Sequence, residues 1–329
     1  RWASRRASGT TPAGRPFRGL VRPGTCVRIL TGARIPRGTA TVVMQEEARR
    51  EGNRVWLNQL PPHGQHIRRR GEDMRRGQMV LPAGVTLRPQ ELTLLAAVGY
   101  RRIPVFQPPR VAILSTGDEL QPPGGLLRAG HTYESNSSLL TGLVRQLQAL
   151  TVPLGVAADR LSSISKKLRQ GLACDLVVMS GGVSVGDKDV VRAAAQRCGV
   201  RTILWRVDIN PGMPLFVGRK GRTMVFGLPG NPVSVFVTFE EFVAPVIHRL
   251  MGRPWRDGYE TPATLTRPLD ISRRRRTNFL RVGLTQRKGS FLVCPLNAQG
   301  SHQLTRQVRA DGWVRLEADE GPRPVGATV

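Results

Sequence analysis

Two carboxylates stand directly after an apolar run near the middle of the chain. Residues 115–119 read Ser-Thr-Gly-Asp-Glu, so Asp118 and Glu119 follow the run at 110–114. Carboxylates in such a place can hold a hard cation or accept a proton. Ser, Thr and acidic residues are equally typical of a helix cap, so both interpretations stay open.

A glycine-rich segment with two further acids occupies residues 180–189, which read Ser-Gly-Gly-Val-Ser-Val-Gly-Asp-Lys-Asp. Glycines let the backbone approach a phosphate closely, and the N–H groups at the start of a following helix can bind the anion. Asp187 and Asp189 are of the type that holds Mg²⁺ together with substrate oxygens. This combination favours a ligand site over a simple turn.

A third segment, Pro229-Gly230-Asn231-Pro232, has two prolines that fix the backbone around Gly-Asn. A rigid turn explains this pattern as well as a ligand site does. Taken together, the three segments indicate an enzyme that acts on a phosphate-bearing small molecule with the help of Mg²⁺.

The surrounding elements predict how these segments are brought together. Apolar runs at 110–114, 175–179 and 224–226 precede the three segments, and helical periodicity follows at 137–150, 187–197 and 232–250. Strands that alternate with helices predict a doubly wound parallel sheet over 108–252. In such a sheet, ligands bind beyond the carboxyl ends of the strands, which is where all three segments fall.

The flanking regions have a β pattern. At 329 residues, the chain is too long for one ordinary domain. Short β-type runs predict a β domain over 1–70, residues 71–107 form a linker with a small helical segment, and strand-like runs resume over 253–329. The β-type runs are 27–30, 41–44, 55–57, 263–265, 279–284 and 291–294, and the short helix is predicted at 89–98. The predicted fold class is multidomain α/β plus β.

Composition excludes several classes of protein. The net charge is +27, but only five of the 50 basic residues are lysine, aromatic residues make up 5%, and no nucleic-acid-binding motif occurs. We therefore expect no nucleic-acid partner. A steep salt-dependent affinity for DNA would be the evidence for the alternative, a basic nucleic-acid-binding protein. No apolar stretch approaches the ~20 residues that cross a bilayer, so we expect no membrane association. Four scattered cysteines without a CxxC pair predict a cytoplasmic location and no zinc site.

The three segments, in this order, resemble the molybdopterin molybdenumtransferase family, which includes bacterial MoeA and the gephyrin E domain. The resemblance runs from about residue 24 to residue 329. Three further motifs carry it: Arg-Ile-Leu-Thr-Gly-Ala at 28–33, Gly-Glu-Asp at 71–73 and Gly-Ser-His at 300–302. It implies a β domain, a small helical piece, a central pterin-binding α/β domain and a C-terminal β-barrel.

The resemblance also implies an activity. Adenylylated molybdopterin binds, molybdate displaces the adenylate, and AMP is released with Mg²⁺ present. It further implies a homodimer and a handover of substrate from the molybdopterin adenylyltransferase. Two alternatives remain: the adenylyltransferase itself, which lacks the flanking β domains, and a non-catalytic molybdopterin-binding or scaffold member of the family.

Site residues are carried over by motif position. The resemblance implies four catalytic residues, Glu119, Asp159, Asp189 and Arg206. It implies metal ligation by Glu119, Asp187 and Asp189. The expected substrate-binding residues are Thr31, Asp73, Ser115, Asp118, Ser180, Gly181, Gly182, Ser184, Pro229, Pro232, Arg276, Arg281 and Ser301.

Two departures from the family pattern stand out. Residues 210–214 read Asn-Pro-Gly-Met-Pro where the family has Lys-Pro-Gly-Lys-Pro, so Asn210 and Met213 supply no cation for an oxyanion. Nearby arginines such as Arg206 could supply it instead. The family's DNSAMDGYA-like N-terminal stretch is also absent. The first 20 residues have the composition of a transit peptide, but the chain does not begin with Met, which favours a fragment that starts inside a domain.

Overall fold

The computed structural model describes residues 3–59, 61–183, 190–253, 255, 260–269 and 275–329, and the chain forms two compact units, Arg1–Ala83 and Gly84–Val329. The strands of the first unit are β1 (Ala3–Thr11), β2 (Thr25–Ile29), β3 (Ala48–Glu51) and β4 (Arg54–Leu57). They form one sheet in the order β2-β1-β4-β3, and a 3₁₀ turn at Gln45–Glu47 precedes β3.

The first sheet contains one strand that the sequence did not predict, and it corrects one expectation. Residues 3–11, whose composition is that of a transit peptide, form the interior strand β1, which pairs with β2 in parallel and with β4 in antiparallel orientation. The run at 41–44 is not a strand. Its Val42 N–H instead donates to the Gln65 carbonyl at 3.0 Å, in a loop.

The second unit opens with the short helix α1 (Pro89–Ala97), as its sequence predicts. Pro89 fits the first turn because that position needs no backbone N–H, and Gly99 ends the helix at φ 92°. The side chain of Glu91 caps the start, where its Oε2 accepts the Arg88 N–H at 2.8 Å. A hydrogen bond from the Arg88 side chain lowers the pKa of Glu91 to about 2.

The central sheet has six strands in the order β10-β12-β13-β9-β5-β8. The elements of this region are β5 (Arg110–Thr116), β6 (Leu120–Gln121), β7 (Thr132–Tyr133), α2 (Asn136–Gln146), β8 (Leu150–Ala157), α3 (Leu161–Gly171), β9 (Leu176–Ser180), α4 (Val190–Arg197), β10 (Arg201–Trp205), β11 (Ile209–Asn210), β12 (Phe216–Lys220), β13 (Thr223–Leu228), α5 (Pro232–Thr238), a π-helical turn (Phe239–Val243) and α6 (Ala244–Leu250).

The predicted parallel sheet is correct for β13, β9, β5 and β8. It is wrong for β12, which pairs antiparallel with both β10 and β13. A tight turn at Gly221, with φ 57°, returns β12 directly into β13 and leaves no room for a crossover helix. Since β10 and β13 are both antiparallel to β12, they run in the same direction, so β10 ends at the same sheet edge as β13.

Helices cover both faces of this sheet, as in a doubly wound fold. One apolar core packs α2, α5 and α6 on one face, with Leu140, Phe239 and Ile247 fully buried. The other core packs α3 and α4 on the opposite face, around Ile164 and Leu168. The strands β8, β10 and β12 and the helix α3 were not predicted from the sequence.

The C-terminal region consists of β14 (Thr264–Leu265), β15 (Thr277–Arg287), β16 (Ser290–Pro295), α7 (Leu304–Val308) and β17 (Gly312–Leu316). Its sheet has the order β11-β15-β16-β14, with β17 also paired to β15. The predicted barrel is not seen: within the described residues the sheet is open, because β11 and β14 lie at opposite ends of this order. The fold is therefore a mixed α/β fold with several sheets.

Strand pairing and an aromatic contact are among the interactions that attach the C-terminal sheet to the α/β part. Strand β11 belongs to the chain of the α/β part but pairs in parallel with β15. Phe236 of α5 also stacks on Trp313 of β17, with ring centroids 5.9 Å apart. Among the described residues, no helix is both long and apolar enough to cross a membrane.

Candidate active site

The three segments singled out from the sequence lie side by side at one edge of the central sheet. Strands β5, β9 and β13 are parallel neighbours, with Ser115 opposite Ser180 and Ser180 opposite Leu228 in the register. Parallel strands place their carboxyl ends together, so the turns that follow Thr116, Ser180 and Leu228 meet there. The buried strands are continuous apolar runs, which is why their ends could be located from the sequence.

Three acidic side chains gather at this edge. Asp118 and Glu119 follow β5, and Asp159 follows β8, the neighbouring strand. The backbone N–H of Asp159 donates to Asp118 Oδ1 at 3.1 Å. Partial burial of its carboxyl group, and next the negative charges of Glu119 and Asp118, raise the pKa of Asp159. A cation placed among these acids would remove that repulsion.

The glycine turn after β9 passes very close to the end of β5. A Cβ atom at Gly181 would lie 2.3 Å from the Thr116 carbonyl oxygen, and one at Gly182 would lie 2.6 Å from Thr116 Oγ1. Both glycines also have positive φ, 84° and 64°. Only glycine fits here. The predicted site residues Ser184, Asp187 and Asp189, which belong to the same loop, lie outside the described residues.

Ser115 and Ser180 were expected to bind substrate, but their side chains are buried beneath the site. Ser115 is 0% and Ser180 1% exposed, and their Oγ atoms are 3.2 Å apart. Ser115 Oγ also donates to Glu134 Oε1 at 2.8 Å and contacts Ser137 Oγ at 3.0 Å. The structure therefore gives both hydroxyl groups a supporting position rather than a ligand-facing one.

The Pro-Gly-Asn-Pro turn after β13 is held from two sides. Asn136 Nδ2 donates to the Gly230 carbonyl at 2.8 Å, and Asn231 Nδ2 donates to Ser301 Oγ at 3.0 Å. Pro229 is buried, and Pro232 is the first residue of α5, a position that suits proline. The turn is thus fixed between the start of α2 and the C-terminal region, and it brings Ser301 to the site.

Arg281, which was expected to line the cleft, is instead completely buried in β15. Its guanidinium donates to the carbonyls of Ala298, Gly300 and Gln303 at 3.0–3.2 Å. Ser301 lies within this same loop. Arg281 therefore supports the loop and does not face a ligand, because its polar atoms are used inside the protein.

Asn210 and Arg276 lie where the C-terminal region meets the α/β part. Asn210 Nδ2 donates to Asn278 Oδ1 at 2.9 Å, and Asn278 Nδ2 donates to the Arg276 carbonyl at 2.6 Å. The amide of Asn210 thus serves the junction between β11 and β15. The side chain of Arg276 is half-buried, next to the start of β15.

Arg206 is exposed at the end of β10, at the same sheet edge as the other turns. Its guanidinium carbon lies 5.5 Å from the centroid of the Trp205 ring, and that of Arg192 lies 5.4 Å from the same ring. Contacts of this kind hold a guanidinium in place while it keeps its charge. The backbone N–H of the next residue, Val207, donates to the Met213 carbonyl at 3.1 Å, so Arg206 lies beside the uncharged residues 210–213.

Thr31 and Asp73 lie in the first unit. Thr31 is exposed in the turn after β2. Asp73 is exposed in a surface depression lined by residues 71–73 and 75–78.

Sequence reasoning missed Glu134 and Asn136. The segment Glu-Ser-Asn-Ser at 134–137 reads as an ordinary helix start, and only the fold shows that it reaches the ends of β5 and β13. The available signal was an acid directly before a polar helix start, and its burial is visible only in the fold. Within the described residues, no group of three or more His, Cys, Asp or Glu side chains has the arrangement of a complete metal site.

Three models of known protein regions match this chain. The MoeA N-terminal region (domains I and II) matches residues 2–99, a probable molybdopterin binding domain matches 112–249, and the MoeA C-terminal region (domain IV) matches 263–329. The molybdopterin molybdenumtransferase of Haemophilus influenzae is 34% identical over 325 residues, which cover 98% of this chain and 80% of that protein. The chain belongs to the molybdopterin molybdenumtransferase family.

Further members of the molybdopterin molybdenumtransferase family support this assignment. The molybdopterin molybdenumtransferase 2 of Mycobacterium tuberculosis is 37% identical over 314 residues, which cover 94% of this chain and 77% of that protein. The crystal structure of a molybdopterin biosynthesis MoeA protein from Pyrococcus horikoshii superimposes with a TM-score of 0.84 at 28% identity and covers 100% of this chain and 80% of that one. The matches to the N- and C-terminal regions count against the adenylyltransferase alternative.

Proposed function

We propose that this chain inserts molybdate into adenylylated molybdopterin and releases AMP, as a molybdopterin molybdenumtransferase of molybdenum cofactor biosynthesis. The observation that carries the proposal is the meeting of Asp118, Glu119 and Asp159 with the 181–182 glycine turn at one sheet edge. That edge is where α/β sheets bind their ligands. Family membership supplies the identity of the ligand.

Magnesium fits the donor chemistry of this edge. Mg²⁺ prefers oxygen ligands and is usually held by one or two carboxylates plus substrate phosphates and water. Glu119 and Asp159 offer such carboxylates, and the pKa of Asp159 is raised first by partial burial and next by the charges of Glu119 and Asp118, which a bound cation would offset. We propose that they hold Mg²⁺ together with Asp187 and Asp189, which lie outside the described residues. A bound Mg²⁺ would supply a positive charge that polarises the phosphoryl oxygens.

The protein's own groups would carry the remaining steps. Backbone N–H groups of the glycine turn can bind the phosphate, since no side chain at Gly181 or Gly182 blocks their approach. Arg206 can hold the molybdate oxyanion, because Trp205 keeps its guanidinium in place at the same edge. Donors fixed before the reaction stabilise the charge that develops as AMP leaves.

We also propose that the chain forms a homodimer and receives its substrate from the molybdopterin adenylyltransferase. Large apolar side chains on and after α1 are well exposed, as dimer surfaces require: Leu92 at 53%, Tyr100 at 62%, Val105 at 65% and Phe106 at 60%. Sedimentation should find a dimer at micromolar concentration, and a monomer would refute this part.

A non-catalytic, pterin-binding role is the second candidate. The observation that favours it is the uncharged Asn210, whose amide is used to bond Asn278. Single-turnover AMP release from adenylylated molybdopterin, with and without molybdate, separates the two candidates. Molybdate-dependent release supports the transferase, whereas tight binding of the intact adenylylated substrate without release supports the binding role.

A further inference from the structure

One short segment contacts both the end of β5 and the turn after β13. Residues 134–137 lie at the start of α2, next to the ends of β5 and β13. Neither the acids of the site nor the glycine turn includes any of these residues. Their contacts are nevertheless directed at the turns rather than at the helix alone.

Glu134 fixes the direction of a buried hydrogen-bond network. Its Oε1 accepts from Ser115 Oγ and from the Ser137 N–H, both at 2.8 Å, and the residue is only 9% exposed. A serine hydroxyl has one proton to donate. Because Ser115 gives that proton to Glu134, it must accept from Ser180 and Ser137. Through Ser115, the carboxyl group of Glu134 thus joins the start of α2 to the ends of β5 and β9.

Asn136 extends the same connection to the third turn. Its Nδ2 donates to the Gly230 carbonyl at 2.8 Å, in the turn that follows β13. Gly230 itself approaches Gly181, since a Cβ placed on Gly230 would lie 3.9 Å from the Gly181 Cα atom. The Gly181 N–H also donates to the Leu228 carbonyl at 3.2 Å, so a shift of the turn after β13 would disturb the glycine turn as well.

We infer that Glu134 and Asn136 are positioning residues for the transferase reaction, which set the spacing of the three turns without touching substrate. The inference rests on the proposed function. Misplacement of a reacting group by about 1 Å can cost about 100-fold in rate, so a bond that fixes this spacing affects catalysis as well as folding. The prediction is that loss of the Glu134 acceptor lowers kcat more than it raises KM.

The chain offers matched variants for the test. Glu134→Gln keeps an amide oxygen that can accept from Ser115 and Ser137, whereas Glu134→Leu has a similar size and no acceptor. Thr223→Val is the control for the loss of a buried hydrogen bond. Thr223 is 8% exposed, donates to the Cys174 carbonyl at 2.8 Å and begins β13 at the opposite edge of the sheet.

The experiment measures molybdate-dependent AMP release and thermal unfolding for each full-length variant. We expect Thr223→Val to unfold at a lower temperature with kcat and KM within about two-fold of the unchanged protein. Glu134→Leu should lose on the order of 10- to 100-fold in kcat at temperatures where it is folded, and Glu134→Gln should recover most of that loss. If Glu134→Leu matches the control in kcat and KM, the inference is overturned.

Two further outcomes also decide the matter. If Glu134→Leu does not fold, Asn136→Ala takes its place, because it removes only the bond to Gly230; unchanged kcat in that variant would overturn the inference. If the unchanged protein releases no AMP, the proposed function fails. The dissociation constant for adenylylated molybdopterin then tests the positioning role. An increase of about ten-fold in Asn136→Ala but not in Thr223→Val supports that role, and equal dissociation constants in the two variants refute it.

Discussion

Replacing Arg281 by methionine removes the buried donor that holds the loop with Ser301. In the native protein, the guanidinium donates to the carbonyls of Ala298, Gly300 and Gln303 at 3.0–3.2 Å and contacts Gln299 Oε1 at 3.4 Å. Methionine fills a similar volume but has no donor, so these oxygen atoms lose their partner.

The expected cost follows from these contacts. Each buried acceptor left without a donor costs about 1–3 kcal/mol. Part of that cost is offset, because burial, which lowers the pKa of Arg281, also makes its charge expensive to keep. With three carbonyl acceptors left unpaired and part of the cost offset, we expect a total of about 3–5 kcal/mol. For a domain of this size, that corresponds to a fall in Tm of about 10 °C.

Chemical denaturation and calorimetry of the Arg281→Met variant check this value, and hydrogen exchange at residues 298–303 checks its location. Arg281→Lys is the control, because it keeps the charge but cannot reproduce the fork of guanidinium donors. It should regain only part of the lost stability. A loss below about 1 kcal/mol in Arg281→Met, or unchanged exchange in the loop, would refute the reasoning.

Three further predictions concern the site itself. Asp159→Asn should be more stable than the unchanged protein at neutral pH without divalent cations. The pKa of Asp159 is raised in the folded protein, so its negative charge opposes folding once the pH rises through that pKa. The gain in stability should therefore vanish below about pH 4, and denaturation curves that show an equal gain at all pH values would contradict this. Gly181→Ala should lose AMP release and at least about 1 kcal/mol of stability, since its Cβ would lie 2.3 Å from the Thr116 carbonyl at φ 84°; normal kinetics would be the contrary result. Asn231→Ala should raise the KM for adenylylated molybdopterin about ten-fold with little change in Tm, because it removes the bond that holds Ser301 at the site. Steady-state kinetics with an unaltered KM would exclude this role.

The sequence predicted the core of the fold well, because local patterns determine it. Buried parallel strands are continuous apolar runs, so β5, β9 and β13 and the turns after them could be placed in advance. The antiparallel strand β12 could not be placed in advance, because the sequence around Gly221 does not distinguish a hairpin turn from a longer crossover connection. Strand β1 was missed because an Arg- and Ser-rich composition does not show which partners a strand will find.

The site was predicted by residue type more than by role. Glu119, Asp159 and the glycine turn lie at one edge because topology brings strand ends together. Arg281 was placed in the cleft by its motif position, but here carbonyl groups from the 298–303 loop solvate it inside the protein. Glu134 was not found because its importance depends on Ser115, which is 19 residues away in the sequence.

The central claim is tested most directly by one measurement, AMP release from adenylylated molybdopterin by the purified chain with Mg²⁺, in the presence and absence of molybdate. The account predicts release that depends on molybdate and on Mg²⁺ and that falls at least about ten-fold in Glu119→Gln, since this change removes a carboxylate from the acidic group. Binding of the adenylylated substrate with no molybdate-dependent release would contradict the account and identify a pterin-binding member of the family.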